Sequence, residues 1–335
     1  MFIPNQKRHG RFAFLALTAL FSSTTAQAQP LTREEHSEVF ARGANELESR
    51  KVALANRAAI PRTMPQAVTL QAMKGKGASA MKLSFVDASG RKSQMLLRVP
   101  GRGTRWGTRA NDTVARLAAQ LGEPGWVPAG ILADAGTFAG VAGVGGDPGK
   151  KHAEDVGKIM VTEFVDRGFK DGEDAPIAWL QKIPEHKRLK AAVLDVLSRA
   201  RDRKLANVMV NEEGELRLID HDVTFGMKEE KGPHFPSAFW KGQSLGYTSK
   251  QARFEDLPDD VRKVVQAIAE AHDVKSLAQT YPLGRDSSLE VLRTMAAAIM
   301  KDGLDAAVTG IVTETQQRGF YRADDTPNAA RLLAR

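Results

Sequence analysis

The chain has 335 residues, with 48 Lys and Arg against 40 Asp and Glu, no Cys and 42% hydrophobic residues. This length suits one large two-lobed domain or two ordinary domains, and the hydrophobic fraction excludes wholesale disorder. The lack of Cys excludes disulfides, thiolate metal sites and a Cys nucleophile. Since the charges behind the net +8 are interspersed, we expect no nucleic-acid partner.

Residues 1–28 have the pattern of a secretory signal peptide. Three basic residues within the first eleven precede the apolar run 12–21, and residues 26–28 form a small-x-small cleavage pattern. The apolar run is too short to span a bilayer as a helix. We therefore expect an exported protein, periplasmic or secreted, with no stable membrane insertion after the signal is cleaved.

Residues 29–65 are predicted to form an N-terminal helical extension. Apolar residues recur at helical spacing over 31–59 within an otherwise polar stretch. Pro61 and Pro65 then interrupt this pattern.

Residues 66–165 form the predicted small lobe, because the apolar period changes there to that of strands. Three strands are expected, at 68–70, 81–86 and 95–99. The spacing over 111–121 predicts a helix closed by Gly122. With a buried strand predicted at 159–165, the order of this half is β-β-β-α-β-β.

Residues 166–335 form the predicted large lobe, which is mainly helical. Apolar stripes of helical period predict helices at 189–200, 261–268 and 289–299. Between the first two, a hairpin is expected with strands at 207–210 and 216–219. The two halves together indicate an α+β fold, with a small antiparallel-sheet lobe and a mainly helical lobe.

The segment 199–226 contains the residues best suited to chemistry. Asp202 follows a helix, Asn207 begins a strand, and Asp220 ends the strand that pairs with it. A helix, a loop and a hairpin would bring these three side chains to one edge. Carboxylate and amide oxygens are hard donors suited to Mg²⁺ bound together with phosphates. Asp202 is then left to orient a hydroxyl group.

The spacing Asp202-x-x-x-x-Asn207, with a hairpin before Asp220, resembles the catalytic core of the protein-kinase-like superfamily. The sequence Ile219-Asp220-His221 is more similar to the atypical branch: the phosphoinositide kinases, actin-fragmin kinase and the secretory-pathway kinases of the Golgi. The resemblance implies a two-lobed kinase-like fold that uses ATP with Mg²⁺ or Mn²⁺. It implies Asp202 as catalytic base or hydroxyl-positioning residue, and Asn207 and Asp220 as metal ligands. Asp222 is either a further metal ligand or a turn cap.

The same resemblance implies nucleotide-binding residues in the small lobe. Gly75, Gly77 and Ser79, between the first two strands, would cover phosphates with their backbone N–H groups. Glu163 and Val165 lie where the hinge between the lobes would meet adenine.

Three positions bear on a departure from the family pattern. Where the family presents Lys on the third strand, this chain has Arg98, which binds phosphate in a bidentate manner but is bulkier. Lys82 on the second strand is the alternative cation. The helix is expected to supply a Glu to that cation, and the candidate here is Asp112, which is one methylene shorter. For each of these residues a solvated surface charge is an equally good interpretation.

The sequence therefore leaves three functions open. The first is an exported phosphotransferase that uses Mg-ATP to phosphorylate a hydroxyl acceptor on a protein, a lipid or a small molecule. The second is a nucleotide-binding pseudokinase without turnover, which stays open because Arg98 occupies the position where the family has Lys. The third is an unrelated exported binding protein or hydrolase, although the chain lacks the Gly-x-Ser-x-Gly and His-Glu-x-x-His motifs. The first two require a cleft between the strand-rich half and the helical half.

Overall fold

The computed structural model of the chain describes residues 29–63, 68–72, 80–86, 90, 92–98, 104–138, 157–165, 168–221, 223–226, 235–248, 253–319 and 327–334. The predicted signal peptide lies outside these residues, as do the candidate site residues Gly75, Gly77, Ser79 and Asp222. Residues 31–335 belong to one structural unit.

The front half forms a five-stranded antiparallel sheet with the order β1-β2-β3-β5-β4. Its strands are β1 (Val68–Ala72), β2 (Ala80–Val86), β3 (Lys92–Arg98), β4 (Gly130–Asp134) and β5 (Lys158–Glu163). One helix, α3 (Thr104–Gln120), joins β3 to β4. The predicted order β-β-β-α-β-β is therefore confirmed.

Alternation along β3 decides which side chains reach the large lobe. Ser93, Met95 and Leu97 are buried, whereas Leu96 and Arg98 lie on the opposite face. Successive side chains of a strand point to opposite faces, so this pattern follows from strand geometry. The buried face forms a hydrophobic cluster of its own, made of Leu54, Ala58, Leu83, Phe85, Met95, Leu97, Phe138, Ile159 and Val161.

The N-terminal extension consists of two helices, α1 (Arg33–Ala41) and α2 (Ala44–Thr63). Thr32 and Glu35 form a capping box at the start of α1. Val39 and Leu47 belong to the larger hydrophobic core, which contains residues of α3 and of the back half, while Leu54 of α2 belongs to the sheet's cluster. The extension is thus part of both cores, because its apolar side chains complete each of them.

Helix α3 begins seven residues before the predicted start at residue 111. Its first two turns are mainly polar, so the apolar period becomes visible only from Val114 onward. The end agrees with the prediction, because Gly122 has the positive φ of 82° that commonly follows a helix.

The back half is mostly helical and contains one small sheet. Its elements are β6 (Lys170–Asp171), α4 (Ile177–Gln181), α5 (Glu185–Leu197), β7 (Val208–Val210), β8 (Leu216–Leu218), α6 (Asp259–Ala269), α7 (Val274–Thr280), α8 (Asp286–Asp302), α9 (Leu304–Gln317) and α10 (Pro327–Leu333). Strands β6, β7 and β8 form an antiparallel sheet in that order. The predicted hairpin and the helices now labelled α5, α6 and α8 are confirmed, and so is the α+β fold class.

None of the described helices is both long and apolar enough to cross a membrane.

Candidate functional site

A cavity of about 330 Å³ lies between the five-stranded sheet and the hairpin β7–β8. Its lining includes Leu96, Arg98, Met160 and Thr162 from the sheet, Gly107 and Asn111 from α3, Met209 and Ile219 to Asp220 from the hairpin region, and residues 163–165. Small-molecule sites commonly have volumes of about 300–1,000 Å³. The cavity is therefore the cleft that the first two hypotheses require, and it is large enough for a ligand.

Arg98 and Asp220 meet inside this cavity. Arg98 Nη2 donates a hydrogen bond to Asp220 Oδ1 at 2.9 Å, which joins β3 to the loop after β8. The family resemblance implies a phosphate-binding role for this cation and a metal-binding role for this carboxylate. The structure brings these two groups together.

Backbone strain is concentrated in the segment that contains Asp220. Among the described residues, all three non-glycine residues with positive φ lie there: Arg199 at 47°, Asp220 at 61° and Phe225 at 52°. Such conformations cost about 1–3 kcal/mol each, and they persist where the surrounding structure enforces them, often at functional sites. The strain supports the interpretation of this segment as the functional part of the molecule.

Asn207 is buried, and its backbone is hydrogen-bonded to Ile219, the residue before Asp220. Its Nδ2 donates to the carbonyl oxygen of Asp202 at 2.6 Å, and its own carbonyl accepts from the N–H of Ile219 at 3.1 Å. Within the described part of the chain, Asn207 Oδ1 accepts no hydrogen bond. The hydrogen-bonding pattern thus fixes the side-chain amide with its oxygen available to a cation.

The carboxylate oxygen Oδ1 of Asp202 is buried and accepts no hydrogen bond from the described residues. Lys204 Nζ lies 3.5 Å from this oxygen. Burial raises the pKa of Asp202, as the nearby charge of Asp220 also does, while the charge of Lys204 lowers it. The raised pKa makes this carboxylate a better proton acceptor than an ordinary Asp.

The side chain of Arg203 links the backbone segments that carry the two candidate metal ligands. Its side chain is buried and donates to the carbonyl oxygens of Asn207 at 3.2 Å and Ile219 at 2.6 Å. It also donates to Asp195 Oδ1 at 3.2 Å and to His221 Nδ1 at 2.8 Å. One guanidinium therefore holds the backbone next to both candidate metal ligands.

His221 belongs to this buried network. Its Nε2 lies 3.0 Å from the carbonyl oxygen of Leu218, which requires a proton on that nitrogen. Nδ1 is then the acceptor for Arg203. Burial and the adjacent guanidinium hold the pKa of His221 well below its usual value, so the ring is neutral.

The hinge segment 163–165 has one side chain fixed and one backbone group available. The carboxylate of Glu163 accepts from the N–H of Ala129 at 2.8 Å and pairs with Arg50. In the part of the chain that the structure describes, the backbone of Val165 forms no hydrogen bond. Its N–H is thus available to a ligand in the cavity.

Two of the predicted nucleotide-binding residues, Lys82 and Asp112, have partners other than Arg98. Lys82 Nζ lies 4.3 Å from the ring centroid of Phe164. Asp112 pairs with Lys51 of α2 and with Arg116, whose Nε is 3.4 Å away, rather than with Arg98. Asp112 is the only carboxylate of α3, and the residues of α3 that line the cavity are Gly107 and Asn111.

Sequence reasoning missed Lys204, Arg203 and the apolar wall of the cavity. Lys204 lies two residues after Asp202, and this spacing alone was a usable signal. The role of Arg203 had no sequence signal, because its partners are spread over 195–221.

The metal hypothesis rests on a small protein donor set. Among the described residues there is no group of three or more His, Asp or Glu side chains that would hold a metal. One amide oxygen and one carboxylate suit a cation that takes its other ligands from phosphates and water, as Mg²⁺ does. Asn207 and Asp220 fit this requirement.

Comparison with the models of known protein families found no match. Comparison with curated proteins also found no match.

Proposed function

We propose that the chain is an exported, kinase-like phosphotransferase that uses Mg-ATP to phosphorylate a hydroxyl acceptor on a protein, a lipid or a small molecule. One observation carries the proposal. Arg98 and Asp220 meet in a cavity of about 330 Å³ that is also lined by the hinge segment 163–165. The cation and the carboxylate suit the phosphates of a nucleotide and their metal. The available backbone N–H, at another place in the cavity, suits the base.

The adenine ring is assigned to the apolar part of the cavity. Leu96 of the sheet and Met209 and Ile219 of the hairpin region line it from opposite lobes. Aromatic ligands are bound largely by such apolar contacts, with a few polar groups that fix their orientation. Here the N–H of Val165 supplies that polar group.

The phosphates are assigned to the end of the cavity that holds Arg98. Its guanidinium matches phosphate oxygens in a bidentate manner. Asn207 Oδ1 and Asp220 would hold the divalent cation. When bound, that cation would offset negative charge on the phosphate oxygens.

In the transfer step, the acceptor's hydroxyl oxygen forms a bond to the γ-phosphorus of ATP. The bond from that phosphorus to the oxygen bridging the β-phosphate breaks, and ADP leaves with the electron pair. Asp202 orients the hydroxyl group and takes its proton. Because the pKa of Asp202 is raised, this proton transfer is more favourable than to an ordinary Asp.

A nucleotide-binding protein without turnover is the second candidate. The ion pair between Arg98 and Asp220 favours it, because it ties up the assigned phosphate ligand and the assigned metal ligand. So does Asp112, whose pairing with Lys51 leaves Arg98 without a carboxylate from α3. The two candidates share a ligand and differ in turnover.

Turnover separates these two candidates. We would incubate the purified chain with γ-labelled ATP and Mg²⁺, with water and simple alcohols as model acceptors, and compare Asp202→Asn with Asp302→Asn. Asp302 is an exposed residue at the end of α8, so its variant controls for loss of a surface charge. An active enzyme loses turnover by about 10²–10⁴-fold in Asp202→Asn alone and keeps nucleotide binding. Nucleotide binding without label transfer in the wild type selects the second candidate.

A further inference from the structure

A second cavity, of about 260 Å³, lies on the other side of the hinge segment and is lined by residues of α2. Its charged lining consists of Arg50, Arg57, Arg217 and Glu163. Phe164 and Phe169 provide aromatic surface beside these charges. The proposed phosphotransferase mechanism uses none of the three arginines.

The charges in this second cavity do not balance. Three guanidinium groups face one carboxylate, which leaves a local charge of +2. Arg50 is fully engaged, because it pairs with Glu163 and donates to the carbonyl oxygens of Pro124 and Val127. Arg57 Nη2 lies 3.7 Å from the same carboxylate, so it shares a partner that Arg50 already holds.

Arg217 is compensated only in part by the charges of Glu215 and Glu163. Within the described part of the chain it forms no ion pair, and its Nη1 donates to the carbonyl oxygen of Leu216 at 2.8 Å. The guanidinium carbon lies 5.0 Å from the ring centroid of Phe169. Burial lowers the pKa of Arg217, as the charge of Arg50 does, whereas the charges of Glu215 and Glu163 raise it. A half-buried cation in this position would be stabilised by an anion.

We propose that this cavity is a binding site for a phosphate-type dianion, with Arg57 and Arg217 as its ligands. Guanidinium groups match the oxygens of phosphate in a bidentate manner, and a dianion offsets the local charge of +2. Free phosphate and a phosphate ester share this chemistry. An ester with an aromatic group has the added possibility of contact with Phe164 and Phe169.

Calorimetric titration of the purified chain with inorganic phosphate, at constant ionic strength, tests the site. Phenyl phosphate, titrated in parallel, separates the two sources. We expect Arg57→Gln/Arg217→Gln to weaken phosphate binding about tenfold or more. Arg98→Gln removes the cation of the first cavity and should leave this binding unchanged. Tighter binding of phenyl phosphate would identify an ester as the better ligand and would also support the site.

Three results would overturn the proposal: no binding of either compound at millimolar concentration, equal affinity in the double variant, or loss of binding in Arg98→Gln alone. The last would place phosphate in the first cavity. If the double variant fails to fold, the single variant Arg57→Gln replaces it, because Arg57 is partly exposed and Arg50 still holds Glu163. That variant should weaken binding several-fold, and an unchanged affinity would again contradict the proposal.

Discussion

Arg98 Nη2 and Asp220 Oδ1 lie 2.9 Å apart and form an ion pair across the cavity. Arg98 belongs to the sheet, and Asp220 has a strained backbone conformation. The two side chains are 33% and 35% exposed. Ion pairs with this much solvent access contribute about 0–1 kcal/mol. A nucleotide with its metal can therefore replace the pair at little cost, which reconciles the contact with the proposed function.

Replacing Asp202 with Asn should stabilise the native state. Its carboxylate is largely buried, one of its oxygens accepts no hydrogen bond from the described residues, and burial raises its pKa. A raised pKa means that the ionised form is penalised on folding, and Asn removes that penalty. We expect the free energy of unfolding in urea to rise by about 1 kcal/mol, as when other functional residues are replaced. A lower stability than that of Asp302→Asn would contradict this account of Asp202.

The buried pair of Arg203 and Asp195 should show strong coupling. Their side chains are 1% and 0% exposed, so Arg203→Met leaves a buried carboxylate without its cation. Breaking such a pair costs about 3–5 kcal/mol. The double variant Arg203→Met/Asp195→Asn should recover part of this loss, since it removes the unpaired charge. Urea unfolding of the two single variants and the double variant measures the coupling, and additive losses would show that the pair is not coupled.

Protonation of His221 should destabilise the metal-free protein. The pKa of His221 is well below 6.5 in the native state, so below pH 6.5 the unfolded chain binds this proton first. The free energy of unfolding therefore falls as the pH decreases from 6.5 towards the native pKa, and His221→Gln should remove that part of the slope. His272→Gln, at a side chain that is 98% exposed, is the matched control. The same slope in wild type and His221→Gln would show that His221 does not cause it.

The turn between α1 and α2 should tolerate no side chain at Gly43. This residue has a φ of +70°, and an added Cβ would lie 2.4 Å from the Cβ of Ala119. Gly319 has a φ of +69° with nothing within 4 Å, so Gly319→Ala reports the backbone strain alone. We expect Gly319→Ala to cost about 1–2 kcal/mol and Gly43→Ala about 1–3 kcal/mol more, measured by urea unfolding. Equal costs would mean that the helical extension does not pack tightly on α3.

The elements that were predicted correctly are those whose apolar spacing and turn residues lie within one short stretch of the sequence. The strands β2 and β3 and the hairpin β7–β8 have turn residues between apolar runs, and α6 has a clear apolar stripe. The start of α3 was predicted too late because its first turns are mainly polar. The N-terminal helices were predicted as helical, but their packing into both cores depends on contacts with residues far along the chain.

In the candidate site, too, local features could be predicted from the sequence and long-range contacts could not. Asp202, Asn207 and Asp220 are close in sequence, so a helix, a loop and a hairpin suffice to bring them together. The partner of Arg98 depends instead on how β3 lies against the loop after β8, and the partner of Asp112 depends on how α2 packs on α3. No local pattern encodes either arrangement. Lys51 lies in a segment that was predicted only to be helical, yet it is the residue that forms an ion pair with Asp112.

The most direct test is nucleotide binding with and without its metal. We would follow thermal unfolding of the purified chain with ATP, with and without Mg²⁺ or Mn²⁺, for the wild type, Asp220→Asn and the control Asp302→Asn. A ligand at about 100 times its Kd stabilises a protein by about 2.7 kcal/mol, which raises the Tm by a few degrees. We predict a metal-dependent rise in the wild type and the control that Asp220→Asn abolishes. A wild type that shows no rise with ATP and metal, or an Asp220→Asn variant that shows the full rise, would contradict the assignment of this cavity as a metal-nucleotide site.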